Sequence, residues 1–185
     1  MNLATRAVRD PLLLAAKIIL YVLLAGLALG VLAASAGCVG MVFFTQEIAA
    51  EFASSQANFD FTEVRLALIG VLVLVIVLLA MIAAMLWLLK RIIDTVGEGD
   101  PFVPVNATRM TIMAWLSLAI QVVALPLAGL ATWIHNVTEV NETETGLNVD
   151  SGFDGNGILL MLVLFILARV FRKGAEMREE LEGTV

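Results

Sequence analysis

Three long stretches of this chain carry no charged side chain, and they constrain its fold more than any other feature. Residues 18–44, 66–89 and 110–134 contain only uncharged, mostly apolar side chains. A helix needs about 20 apolar residues to cross the hydrocarbon core of a bilayer. Backbone amides in lipid have no water to bond, so such a segment must be helical. The three stretches therefore predict three transmembrane helices.

A fourth, shorter apolar stretch lies near the end of the sequence, at about 154–171, and contains Arg169. An arginine near the end of a span can extend its guanidinium to the lipid head groups. The sequence thus predicts an all-α fold, an integral membrane four-helix bundle that forms one domain over residues 1–185. Its last helix is expected to continue into a short cytoplasmic tail, 172–185.

The composition agrees with a membrane protein. The chain is 61% hydrophobic and 15% charged, whereas soluble domains have roughly 45–50% apolar and about 25% charged residues. The lipid bilayer is therefore the first predicted partner.

Basic residues predict which way the chain faces. Lys and Arg collect in the cytoplasmic flanks of membrane helices. Apart from Arg65, every basic residue lies before the first span, between the second and third, or around the end of the fourth. With four spans these three segments share one side, so both termini are predicted to be cytoplasmic. The basic residues on that side are Arg6, Arg9, Lys17, Lys90, Arg91, Arg109, Arg169, Arg172, Lys173 and Arg178.

No catalytic or metal-binding pattern is visible in the sequence. Cys38 and His135 are the single cysteine and the single histidine, and zinc sites typically need three or four ligands at short spacings. There is no nucleophile–base arrangement and no glycine-rich phosphate loop. We therefore predict a non-enzymatic protein with no catalytic residue, no cofactor, no metal site and no direct binding of nucleic acid.

Two polar side chains lie inside the third span. Ser117 and Gln121 are one turn apart and share a helix face. One interpretation is a binding cavity, in a small transporter or a transport-accessory subunit. The other is a hydrogen bond between helices, typically worth about 0.6 kcal/mol in lipid. Transporters usually carry ionisable residues at depth, and the first three spans have none, which disfavours transport.

A ridge of small residues follows the first span. Gly26, Gly30 and Ala34 recur every four residues, a spacing that lets helices approach closely. The ridge predicts either tight packing within one chain, which we favour, or the face of a homodimer.

The connection between the second and third spans, GEGDPFVPVNATRM, is stiff and polar. Its prolines end one helix and begin the next, because Pro104 suits the first turn of a helix. Phe102 is expected to tuck under the bundle or meet a partner, and Asn106 to help satisfy first-turn amides.

The C-terminal segment predicts a short amphipathic helix. Met177 and Leu181 share one face with Val170 and Gly174 at helical spacing, and the placement of Arg178 four residues before Glu182 predicts an ion pair along the helix. The segment is expected to fold back on the loop, to dock a cytoplasmic protein, or to do both. The residues predicted to contact such a partner are Phe102, Asn106, Arg109, Arg172, Met177 and Leu181.

Two inner segments carry a family resemblance. The stretch GDPFVPVNATRM contains G-x-P-F-x-x-x-N-A, and the tail ends in ARVFRKGAEMREELEGTV, with E-x-T-V near its end. Together they resemble domain of unknown function 2975 (DUF2975), a family of membrane proteins with four spans, across nearly the whole chain. Members often have Arg or Lys where this chain has Thr108 and Thr111, so its loop is less basic.

The resemblance implies a location and a partner. It implies the plasma (inner) membrane of a prokaryote. Genes of this family often lie beside a gene for a small helix-turn-helix regulator of the Cro/C1 type, which implies a membrane protein that holds or releases a transcription regulator.

Overall fold

The computed structural model describes residues 11–46, 61–138 and 155–183. Within them the chain is all-α, as predicted, and forms four helices: α1 (Pro11–Phe43), α2 (Phe61–Gly97), α3 (Pro104–Thr138) and α4 (Gly155–Glu182). Each helix covers all or nearly all of one predicted apolar stretch and extends past it at one or both ends. Pro104 is the first residue of α3, where its missing amide hydrogen leaves no bond unmade.

Three of the helices are long and apolar enough to cross a membrane by length and composition: Pro11–Phe43, Thr62–Gly97 and Pro104–Thr138. The helix α4 is not among these three, so the fourth span at 154–171 stays a prediction. Residues 172–182 continue α4 beyond that stretch without a break, as expected for the tail.

The helices contribute to two compact units, one within residues 1–27, 81–120 and 154–185 and the other within 28–80 and 121–153. The first unit has a small apolar core between α2, α3 and α4. Ala114 is fully buried there, and small side chains let the helix backbones approach closely. The buried core residues are Ile92, Met110, Met113, Ala114, Leu164 and Ala168.

In the second unit, α1 and α2 approach closely at glycines. A Cβ atom on Gly30 would lie 3.3 Å from Leu79 Cδ1, and one on Gly37 would lie 3.4 Å from Leu72 Cδ1. Ala34 is buried. Part of the predicted small-residue ridge therefore serves packing within the chain, and the homodimer through Gly26, Gly30 and Ala34 stays a prediction.

The outer surface of the helices is far more apolar than that of a water-soluble fold, and three polar side chains are buried among the described residues. The buried polar residues are Asn106, Ser117 and Gln121. Large apolar side chains are exposed on every helix, including Leu12, Leu66, Trp115 and Ile166, each more than half exposed.

Candidate functional site

The candidate site is built around the loop from α2 to α3, in the first unit. At the end of α2 the Asp100 amide donates to the Thr95 carbonyl at 3.2 Å, and the Gly99 amide donates to the Val96 carbonyl at 3.1 Å. These two bonds form a Schellman motif, whose penultimate position adopts the left-handed region. Gly99 takes that position with φ = 89°, which explains why glycine begins the G-x-P-F pattern.

Asn106 fastens the loop from inside. Its amide nitrogen donates to Thr95 Oγ1 at 2.7 Å and to the Pro101 carbonyl at 3.0 Å. Its carbonyl oxygen accepts from Arg109 at 2.8 Å. One side chain thereby joins the end of α2, the loop and the start of α3, and both of its amide donors and its acceptor are used.

Asn106 is fully buried, and its amide nitrogen donates to the loop and to the end of α2. Arg109 is partly exposed, and its guanidinium donates to the Arg91 carbonyl at 3.1 Å as well as to Asn106. Both residues therefore position the loop, and their predicted contact with a partner stays a prediction.

The loop packs on the C-terminal half of α4. The rings of Phe102 and Phe171 have centroids 5.4 Å apart. A Cβ atom on Gly174 would lie only 2.6 Å from Phe102 Cδ1, so the ring occupies space that any other residue would fill. Asp100 forms an ion pair with Arg178. The tail therefore folds back on the loop, one of the two predicted outcomes.

The ion pairs of α4 reach the loop as well as run along the helix. Arg178 pairs with Asp100 across to the loop, and its predicted pair with Glu182 involves a side chain outside the described residues. Lys173 pairs with Glu176 at 3.2 Å, three residues on. A pair across to the loop ties two segments together, whereas a pair along one helix supports that helix alone.

The apolar face of α4 extends past the docked loop. Phe102 covers Gly174 and is itself 41% exposed, while Met177 is 51% and Leu181 is 71% exposed. A rigid loop edge therefore lies beside an exposed apolar stripe, and this arrangement is suited to receive another helix.

A second polar cluster joins α1 and α2 in the same unit. Asp94 lies beyond the uncharged run 66–89 and contacts Lys17 Nζ at 2.7 Å and Lys90 Nζ at 3.1 Å. The hydrogen bond from Lys17 lowers the pKa of Asp94 below its ordinary value, against the opposing effect of burial. The Lys90 ammonium also lies 5.4 Å from the ring centroids of Tyr21 and Trp87, within the range of a cation–π contact.

The two predicted intramembrane polar residues are buried. The Ser117 hydroxyl donates to the Gly157 carbonyl at 3.2 Å, which joins α3 to the first turn of α4. Gln121 is 9% exposed. For Ser117, the geometry is the hydrogen bond between helices that the sequence offered as one of two interpretations.

A groove of about 680 Å³ opens between α3 and α4. Arg172, predicted as a partner contact, is one of its lining residues and is exposed. The lining residues are Thr111, Phe165, Ala168, Arg169, Arg172, Lys173 and Glu176.

Among the residues that the structure describes, no three His, Cys, Asp or Glu side chains are grouped so as to hold a metal ion.

The model of one known protein family matches most of the chain. The family model described as "Protein of unknown function (DUF2975)" matches residues 44–185. The chain belongs to the DUF2975 family. No curated protein and no solved structure matches it. The DUF2975 loop pattern now has a physical meaning in this chain: Gly99 turns the backbone, Phe102 docks on α4, Asn106 fastens the loop and Ala107 is buried beside it.

Sequence reasoning missed Gly174 and Thr95 as parts of this site. The sequence could have indicated a packing role for Gly174, because a glycine inside a helix costs about 1 kcal/mol relative to alanine and is usually kept for a packing or functional reason. No sequence pattern could have indicated the role of Thr95, since its hydroxyl accepts a hydrogen bond from Asn106, eleven residues later.

Proposed function

We propose that this chain is an integral membrane protein that binds or sequesters a small helix-turn-helix transcription regulator at its cytoplasmic face. The proposal has two parts, insertion into the plasma membrane of a prokaryote with both termini inside, and docking of the regulator on α4. The observation that carries the second part is the exposed stripe of Met177 and Leu181 beside a loop that is locked in place.

Membrane insertion is supported by the exposure of large apolar side chains on the outer surface of the helices. Soluble monomers rarely expose contiguous apolar patches larger than a few hundred Å², and here large apolar side chains are exposed on all four helices. Aromatic residues add support, since Tyr and Trp are enriched at membrane interfaces. Tyr21 and Trp87 lie beside Lys90 at one end of α1 and α2, and Trp133 lies near the other end of α3.

Docking is supported by the exposed apolar side chains on the C-terminal part of α4. An amphipathic helix can lay its apolar stripe against a partner's groove, using residues three or four apart as anchors. Met177 and Leu181 are four apart. The contacts of Phe102 with Gly174 and of Asp100 with Arg178 hold the loop edge next to them, so a partner would meet a prearranged surface.

The class of partner comes from the family. Membership of DUF2975 brings the association with genes for Cro/C1-type regulators that the sequence resemblance implies. Holding such a regulator at the membrane would keep it from DNA, and release would return it. The alternative function is a small transporter or transport-accessory subunit with Gln121 at its site. For neighbouring Ser117, the hydrogen bond from its hydroxyl to the Gly157 carbonyl favours helix packing over ligand binding.

The test is removal of the two anchors. In the Met177→Ala/Leu181→Ala variant we expect the regulator to be lost from complexes purified in mild detergent, with at least about 30-fold weaker binding, because a single hot-spot side chain contributes about 2 kcal/mol or more. Reporter transcription from the regulator's promoter should change in parallel. The control is Glu179→Ala, a polar exposed position on the same helix, which should retain the partner.

Two outcomes would contradict the proposal. One is a double variant that reaches the membrane at normal abundance and still retains its regulator fully. The other is the absence of any DNA-binding protein from complexes of the unaltered chain.

A further inference from the structure

We propose that the groove between α3 and α4 binds the head group of an anionic phospholipid. The proposal rests on the membrane insertion proposed above and is independent of the regulator. At about 680 Å³ the groove is within the range of ligand sites in proteins. It lies where the apolar stretch of α4 gives way to basic residues, which is the depth at which head groups are found if this stretch spans the membrane.

The charge of the groove selects an anion. Arg169, Arg172 and Lys173 line it, and side chains three and four residues apart share one face of a helix. Glu176 is engaged by Lys173 at 3.2 Å. Among the described residues, no carboxylate lies within ion-pair distance of Arg169 or Arg172. Two guanidinium groups, the groups best suited to bidentate phosphate contacts, therefore face the groove without a counter-ion.

The floor of the groove selects a lipid. Phe165 and Ala168 line its apolar side, and Trp115 packs edge-on against Phe165 with ring centroids 5.6 Å apart. Trp115 is itself 59% exposed, so the apolar lining continues onto the outer surface of α3 and α4. An acyl chain can follow that surface while its phosphate stays between the arginines.

An acidic segment of a protein fits this site less well. Such a segment would satisfy the guanidinium groups, but it would lie against the apolar floor and Trp115, where its own polar backbone groups would lose water without gaining partners. Basic pockets between membrane helices on the cytoplasmic side are suited to anionic head groups for the same reason. Arg172, predicted above as a protein contact, is thereby assigned to a lipid.

The test measures retained lipid by native mass spectrometry of the full chain in detergent micelles. Phosphatidylglycerol should bind with a defined stoichiometry and phosphatidylcholine should not. Each cationic residue near an anionic surface contributes about 1 kcal/mol, or roughly fivefold in affinity. We therefore expect about fivefold weaker binding of phosphatidylglycerol in Arg172→Gln and about 30-fold in Arg169→Gln/Arg172→Gln. Replacing both arginines by lysine should give a smaller loss than the double glutamine variant, because the charge is kept and only the bidentate contacts are lost. Glu176→Gln removes the acid from the groove and should tighten binding.

The matched control is Arg91→Gln, which removes one exposed charge outside the groove and should leave phosphatidylglycerol binding unchanged. Equal binding of the two lipids would overturn the proposal. So would an equal loss of phosphatidylglycerol binding in Arg91→Gln and Arg172→Gln. Displacement of phosphatidylglycerol by millimolar inorganic phosphate would assign the groove to free phosphate, and displacement by poly-glutamate would assign it to an acidic protein segment. A chain that purifies from the soluble fraction without detergent would instead refute the membrane insertion on which the proposal rests.

Discussion

At the scale of single residues, the loop pattern G-x-P-F-x-x-x-N-A is explained by backbone geometry and by one buried amide. The glycine could be predicted from the sequence as part of a helix stop, because a proline follows it closely. The role of Asn106 could not, since its partners are a hydroxyl eleven residues earlier and a carbonyl five residues earlier. Which of these atoms lie within reach depends on how α2 ends, and that is set by the Schellman motif.

Asn106→Ala should destabilise the loop. The substitution leaves the Pro101 carbonyl and one Arg109 donor without this partner in a partly buried position, and an unsatisfied polar group that is fully buried costs about 1–3 kcal/mol. We expect the free energy of unfolding to fall by roughly 2 kcal/mol, measured by denaturation of the purified protein in detergent.

Thr108→Ala is the control for this prediction. Thr108 is exposed on the next turn of α3, and surface substitutions usually change stability by less than about 0.5 kcal/mol. Equal stability of the two variants would show that the Asn106 hydrogen bonds contribute nothing net.

At the scale of elements, the sequence predicted that α4 continues beyond its apolar stretch with an apolar stripe on one face. It left open whether the stripe meets the loop or a partner. In the structure the loop covers only part of the stripe, because Phe102 packs against Gly174 while Met177 and Leu181 stay exposed. Periodicity identifies the apolar face of a helix but not what covers it. The sequence alone therefore could not predict which part of the stripe the loop covers.

Gly174→Ala should undock the loop while strengthening the helix that it leaves. The new Cβ would come within 2.6 Å of the Phe102 ring, which must move away. Alanine meanwhile favours a helix interior by about 1 kcal/mol over glycine. Hydrogen exchange followed by mass spectrometry should therefore show faster exchange across the loop, 98–103, and no acceleration within the adjoining turns of α4.

Gly129→Ala separates packing from helix propensity. Gly129 lies inside α3, and a Cβ atom there would meet nothing within 4 Å. This variant should gain helix stability without any change in the loop. If loop exchange in Gly174→Ala matches that of Gly129→Ala, the contact between Phe102 and Gly174 does not hold the loop.

At the scale of the whole molecule, three long uncharged stretches and a fourth, shorter apolar stretch were enough to predict four helices and their order. They predicted the ends less well: α2 covers Phe61–Gly97, although its uncharged stretch is 66–89. Charged residues such as Lys90 and Asp94 can continue a helix past its apolar part, since the backbone bonds are the same. Apolar runs therefore mark where lipid would be, and not where a helix ends.

The positions of the basic residues predict on which side of the membrane each connection lies. Cysteines introduced singly at Glu98 and Thr143, in a Cys38→Ser background, should react from opposite sides. Glu98 is exposed and has no need of the left-handed conformation that makes neighbouring Gly99 unsuitable. It lies in the predicted inner loop, and Thr143 lies between the third and fourth predicted spans, on the side opposite the basic segments and outside the described residues. An impermeant maleimide should label Thr143→Cys in intact cells and Glu98→Cys only after permeabilisation, because basic flanks are retained in the cytoplasm. Labelling of position 98 in intact cells would place the loop, the exposed tail and the basic groove on the outer side, where no transcription regulator could reach them.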